Sequence, residues 1–188
     1  QNPEVGVASN EVFTLTAAPY CHVSGVALNG VDWTPPGQPA ELAWTWSNAQ
    51  DNAWLDVSFA ENLTEEYGIP ERWLADNGIT NDFDAAEEDD PDEDGMPTWQ
   101  EYLAHTRPKD PASLLQFEVI TANSDPNEMV IRWQSASNRV YSLWRSTNLA
   151  DGFGLRIATN LPATPSINSY TDTVDGAGTR FYRIELGP

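Results

Sequence analysis

From Glu11 to Ala60 the chain runs in short apolar stretches broken by turn residues: "VFTLTA", "HVSGVALNG", "ELAWTWS" and "AWLDVSFA", with "WTPPGQP" between the second and third. A two-residue alternation over such lengths places every other side chain on one face of a strand. Within "AWTWSNAQDNAWLDVSFA", Leu42, Trp44 and Trp46 share one face. Leu55, Val57 and Phe59 share one face of the next strand, so the pattern predicts a hairpin with a polar tip. Trp54 then points to the other side, beside Asp56 and Ser58.

Residues 61–113 change character. Pro70 stands at a helix start, "PERWLADN" supports about two turns with Trp73 and Leu74 turned inward, and Gly78 ends them. An acidic run follows, then "TWQEYLAHT", a second short helix in which Thr98 and Glu101 have capping-box spacing. Residues 114–188 return to alternation in "LLQFEVITA", "EMVIRWQSA", "RVYSLWRSTN", "LRIATNL" and "RFYRIEL". Five or more strands at this spacing predict a small antiparallel sandwich. Trp133, Tyr141, Leu143, Phe181 and Ile184 are its core candidates, although Phe181 and Ile184 cannot share a face of an unbroken strand. The expected architecture is mainly β: two small antiparallel β modules, residues 1–60 and 114–188, joined by a short helical linker, residues 61–113.

Charge sharpens the linker. The 188 residues hold 29 acids and 9 bases, a formal net charge of -20, which disfavours nucleic acid and anionic membrane surfaces and favours cations. Fifteen of the acids lie between Glu61 and Glu101, against Arg72 alone. One cysteine, Cys21, excludes an intrachain disulfide, and no run of about 18 apolar residues suggests membrane insertion. The opening residue is Gln1, which suits a processed chain, and an acidic chain with a single lysine suits the calcium-rich exterior of a cell.

Within "DDPDEDGMPTWQE", taking Asp90 as position 1 puts Asp92 at 3, Asp94 at 5, Gly95 at 6, Met96 at 7, Thr98 at 9 and Glu101 at 12. These positions satisfy the EF-hand-like calcium pattern D-x-D-x-D-G-x5-E. Alternate carboxylates in a tightly curled loop reach a hard cation at about 2.3 to 2.6 Å, and the glycine permits the bend. Met96 supplies its carbonyl, Thr98 a hydroxyl or a bound water, and Glu101 both oxygens. A merely solvated acidic run explains neither the glycine nor the distant glutamate. Asp82, Asp84, Glu87, Glu88, Asp89 and Asp110 lie close enough in sequence to add ligands or hold a second ion, though no second loop template fits them.

"GIPERWLADNGI" followed by "DPDEDGMPTWQEYLAHTRPKDPAS" resembles the calcium-binding linker of large secreted bacterial proteins, akin to thrombospondin type 3 and dockerin-like loops, over residues 68–113. Arg107 stands where that pattern has aspartate, so the resemblance carries no extra ligand there. "FTLTAAPYCHVSGVALNG" and "AWTWSNAQDNAWLDVSFA" look like the small β repeat of bacterial surface proteins. That pattern's first strand, normally upstream of Val5, is absent, which implies an unpaired edge. "RVYSLWRSTNL", "NSYTDT" and "FYRIEL" are similar to the fibronectin-III-like modules that close such proteins. Together they imply an extracellular location, secreted or at the cell surface, with attachment or display as the role.

Catalytic signals are weak. Cys21 and His22 are adjacent, so a strand sends them to opposite faces, and a packed pair is the simpler reading. His105 sits where it can meet the end of a helix. No nucleophile elbow, zinc-protease helix, phosphate loop or dinucleotide fingerprint occurs. Of eight tryptophans, Trp33, Trp54 and Trp144 are the candidates for an exposed contact surface, and "NLT" at Asn62 is an N-glycosylation sequon. The expectation is a non-enzymatic, calcium-binding structural or adhesive protein whose ion stiffens the junction between modules and whose open β edge lets it self-associate into a fibre or surface layer. The alternative is an accessory region, carbohydrate-binding or spacer, of a secreted polysaccharide-degrading enzyme.

Overall fold

In the computed structural model, which describes residues 9–49, 54–125, 127–174 and 178–187, the chain is mainly β, with 44% of it in strands and 12% in helices. An N-terminal β region and a C-terminal β region are separated in sequence by short helices, the fold class that the alternation implied. The chain divides into two compact units, Gln1–Asp84 and Ala85–Pro188, with the boundary inside the 61–113 segment. No helix among the described residues is long and apolar enough to cross a membrane.

The first unit holds β1 (Ser9–Thr16), β2 (Cys21–Leu28), β3 (Val31–Trp33), β4 (Glu41–Ala49) and β5 (Leu55–Glu61). Two antiparallel sheets form, β1-β4 and β3-β2-β5. The expected hairpin between β4 and β5 is therefore wrong: each pairs with an earlier strand, in registers such as Phe13↔Trp44 and Val26↔Val57. Alternation says which residues share a face but not which strand lies alongside, and parting β4 from β5 gives each sheet one apolar face to bury. Trp33 and Trp44 meet between the two sheets, ring centroids 5.1 Å apart. The Trp46 side chain lies outside the described residues, as do residues 50–53, where the polar tip was expected, and residues 1–8. In β2 a bulge falls between Val23 and Gly25, where an added Cβ would stand 2.7 Å from Ser58 Oγ.

Helix α1 (Glu71–Asp76) starts after Pro70 and ends in two Schellman-type bonds, Ile79 N to Leu74 O and Gly78 N to Ala75 O, both 2.9 Å. A polar chain fastens it to the sheet. His22 Nδ1 donates to Asn62 Oδ1 at 2.9 Å, and Asn62 Nδ2 donates to Glu71 Oε2 at 3.0 Å. The amide of the sequon is thus committed on both sides, and Thr64 is buried, accepting from Ile69 N at 2.9 Å. Helix α2 (Phe83–Ala86) is a single turn whose Phe83 ring meets Tyr20 edge-on.

Among the described residues the second unit contains α3 (Thr98–Ala104) and six strands: β6 (Phe117–Ala122), β7 (Glu128–Gln134), β8 (Val140–Ser146), β9 (Leu155–Pro162), β10 (Ile167–Thr173) and β11 (Phe181–Leu186). They form two three-stranded sheets, β10-β7-β6 and β11-β8-β9. The inner faces meet in a core of Ile131, Trp133, Tyr141 and Leu143, with Trp133 edge-on to Tyr141 at 5.7 Å. Strand β11 pairs with β8 without a shift, so Tyr182, Ile184 and Leu186 face that core. Phe181 falls on the opposite face by strict alternation and is removed from the core candidates. A charged group also crosses between the sheets. Arg145 Nη1 lies 3.0 and 2.8 Å from the two oxygens of Asp172, and the Tyr182 hydroxyl donates to Asp172 Oδ2 at 2.9 Å. Burial, reinforced by Asp172, pushes the Tyr182 phenol up to about 12.

Candidate metal centre

The loop 89–97 carries no regular secondary structure, and its shape comes from carboxylates bonding their own backbone. Asp90 Oδ2 accepts from Gly95 N at 2.8 Å, Asp94 Oδ1 from Met96 N at 2.7 Å, and Asp94 N donates to Asp90 Oδ1 and Asp92 Oδ1 at 3.2 and 3.3 Å. Such turns are what aspartate favours at every second position. Gly95 turns the chain at φ +96°, a backbone region that side chains with a Cβ avoid.

The curl brings Asp90, Asp92 and Asp94 together: one carboxylate oxygen of each lies within 4.8 Å of the others, all three residues are half-buried, and the cluster could hold a metal ion. Glu101 arrives from the first turn of α3. It is fully buried, and neither carboxylate oxygen has a hydrogen-bond partner. Asp92 Oδ2 and Asp94 Oδ2 are also buried without a partner. Orphaned buried carboxylate oxygens are costly, and a cation bound among these four would satisfy them. Burial, followed by the charges of Asp92 and Asp94, pushes Glu101 up to about 8. Burial also raises Asp92, with the charges of Asp94 and Asp90 adding to it and the Asp94 amide opposing. The donors are hard oxygens, which suit calcium or magnesium rather than a soft metal.

The expected capping box does not form. Pro97 is the N-cap and makes no side-chain cap bond; the first amides of α3 are met instead by backbone carbonyls, Thr98 N by Asp89 O at 2.8 Å and Trp99 N by Glu87 O at 3.0 Å. Glu101 is thereby left free of capping duty. Thr98 is fully buried, its hydroxyl donating to Asp89 O at 2.9 Å, and Met96 stands half-buried at the neck of the loop. The neighbouring acids go elsewhere. Asp84 accepts from Glu65 N at 3.0 Å, Asp110 pairs with Arg107, Asp82, Glu88 and Asp89 are exposed, Glu87 is buried, and none joins the triad among the described residues.

The far end of α3 is held by the sandwich. His105 adopts φ +58° and closes the helix as Thr106 N bonds Glu101 O at 3.0 Å, while its Nδ1 donates to Ser137 O at 3.2 Å. Arg139 donates to the carbonyls of Leu103 and Tyr102. Sequence reading missed Arg139, whose only signal is its position in the β7–β8 turn.

Among the tryptophans, Trp54 is 62% exposed and Trp33 40% exposed, whereas the Trp144 ring is covered by guanidinium groups, Arg156 at 4.4 Å and Arg183 at 5.1 Å from its centroid. No protein-family model matches the chain, and neither a curated protein nor a solved structure does. The fold and site define a mainly β protein of small antiparallel sheets with an aspartate triad in the stretch between its β regions.

Proposed function

We propose that this is a non-enzymatic extracellular structural protein in which the 90–101 loop binds calcium through Asp90, Asp92, Asp94, the Met96 carbonyl, Thr98 and Glu101. The observation that carries the reading is the buried Glu101 carboxylate, unpartnered at both oxygens and set at the twelfth position from Asp90. Its first turn of α3 is the element an ion would fix, and α3 is bonded to the sandwich at its other end. The strand orders β10-β7-β6 and β11-β8-β9 agree with the fibronectin-III-like resemblance, which favours attachment or display over catalysis.

Self-association through an open β edge completes the reading. Strand β1 pairs only with β4 among the described residues, and Val12 and Phe13 are 63% and 41% exposed at its centre. An eight-residue edge with uncharged apolar positions is a template for another strand. Exposure of Trp33 and Trp54 favours the second reading, an accessory module that rests on polysaccharide.

Calcium titration by calorimetry tests the site. Asp94→Ala and Glu101→Ala should each weaken binding by more than about tenfold, as loss of a charged ligand does; an unchanged titration in both variants refutes the ligand assignment. Val12→Lys should reduce association without altering calcium binding.

A further inference from the structure

The outer face of the β11-β8-β9 sheet carries a basic ridge. Arg183 and Arg156 stand in register on either side of Trp144, on the two strands flanking β8. Trp144 Nε1 donates to Glu185, which is also ion-paired with Arg183 Nη2 at 3.4 Å, so Arg183 is partly compensated and Arg156 is the ridge's unpaired cation. Arg156 is exposed, has no ion pair or hydrogen bond among the described residues, and lies over the Trp144 indole. Guanidiniums lying over a ring cover the faces a sugar would need, and their N–H groups match the geometry of carboxylates.

The first unit bears the counterpart. Asp32 and Asp56 stand in register on either side of Ala27, on the two strands flanking β2. Both are exposed, and neither has a hydrogen bond or ion pair among the described residues. They rim a hollow of about 440 Å³ that the small Ala27 side chain leaves open. In each sheet the paired charges are two strand spacings apart, about 9.5 Å. One face has a large residue between two cations and the other a small residue between two anions.

We infer that the Arg156–Trp144–Arg183 ridge of one copy docks into the Asp32–Ala27–Asp56 hollow of a second copy. The contact is heterologous, so it is not closed by two-fold symmetry and can extend into a chain of subunits. The acidity is uneven in the direction the contact needs: residues 1–84 hold thirteen acids against Arg72, whereas residues 102–188 balance eight acids with eight bases. This contact rests on the self-association reading above but uses neither the β1 edge nor the metal.

Sedimentation velocity over a concentration series, with calcium at low and high salt, tests it. Wild-type association should weaken with salt, fall at least about tenfold in R156E/R183E and likewise in D32R/D56R, and return when all four reversals are combined, because the pairs are restored with opposite sign. R132E, on the other sheet, should change nothing. If the reversals prevent folding, R156Q/R183Q and D32N/D56N should give the same losses. Association that persists in each double variant, or that the fourfold reversal fails to restore, overturns the docking while leaving the β edge standing. A wild type that stays monomeric at every concentration overturns both. Capture of a sulfated polysaccharide by wild type but not R156E/R183E, without self-association, assigns the ridge to glycans and also overturns it.

Discussion

Arg139 donates from Nε to the carbonyl oxygen of Leu103 at 2.6 Å, and through this bond the turn between β7 and β8 holds the last turn of the helix that carries Glu101. A second bond from Nη2 to Tyr102 O, at 3.3 Å, makes the guanidinium a C-terminal cap supplied by the sandwich. The candidate ligand Glu101 is therefore positioned from both ends of a seven-residue helix too short to persist by itself.

Arg139→Ala should lower stability by about 1–2 kcal/mol, the worth of charge-assisted bonds to helix carbonyls, and weaken calcium binding severalfold without touching a ligand. Urea denaturation in calcium reads the first effect and calorimetry the second. Unaltered calcium affinity would show that α3 holds its place without the sandwich.

Acid and base should act oppositely on the calcium-free and calcium-bound protein. The folded, metal-free state raises Glu101 from an ordinary 4.5 to about 8, so it holds that proton more tightly than the unfolded chain does. The stabilisation this gives is fully present below 4.5 and disappears as pH rises through 8. In a chelator, melting temperature should fall across that window, and Glu101→Gln should flatten the fall. With calcium the charged carboxylate is the binding form, so affinity should rise with pH over the same range and binding should release a proton, measurable by calorimetry in buffers of different ionisation enthalpy. Metal-free melting curves that ignore pH would contradict the isolation of Glu101.

Asp172→Ala should cost about 3–5 kcal/mol, because it strands the half-buried Arg145 and the Tyr182 hydroxyl together. Replacing both partners, R145M/D172L, should cost much less. Equal losses in the two variants would mean that the pair itself, rather than an uncompensated charge, sets the stability.

Asn62→Ala should destabilise the first unit by about 1–3 kcal/mol, since His22 and Glu71 both lose a partner inside it. Urea melts of wild type and variant decide it, and a neutral result would show that water replaces the amide.

The clustering of Asp90, Asp92 and Asp94 was legible because its information is local: aspartate at alternate positions bonds its own backbone wherever the rest of the chain lies. Strand existence was legible for the same reason, from a two-residue period. What the residues near Trp46 could not announce is that β4 and β5 part company, because strand partners are chosen by which apolar faces bury each other across long sequence separations. The same holds for Ile184 facing the core and Phe181 facing out: alternation separated the two, and only packing against Tyr141 and Trp133 said which was inside. Glu101 joins both levels. Sequence by itself put it at the twelfth position, while its complete burial, its unpartnered oxygens and the grip of Arg139 on its helix arise from contacts that only the folded chain brings together.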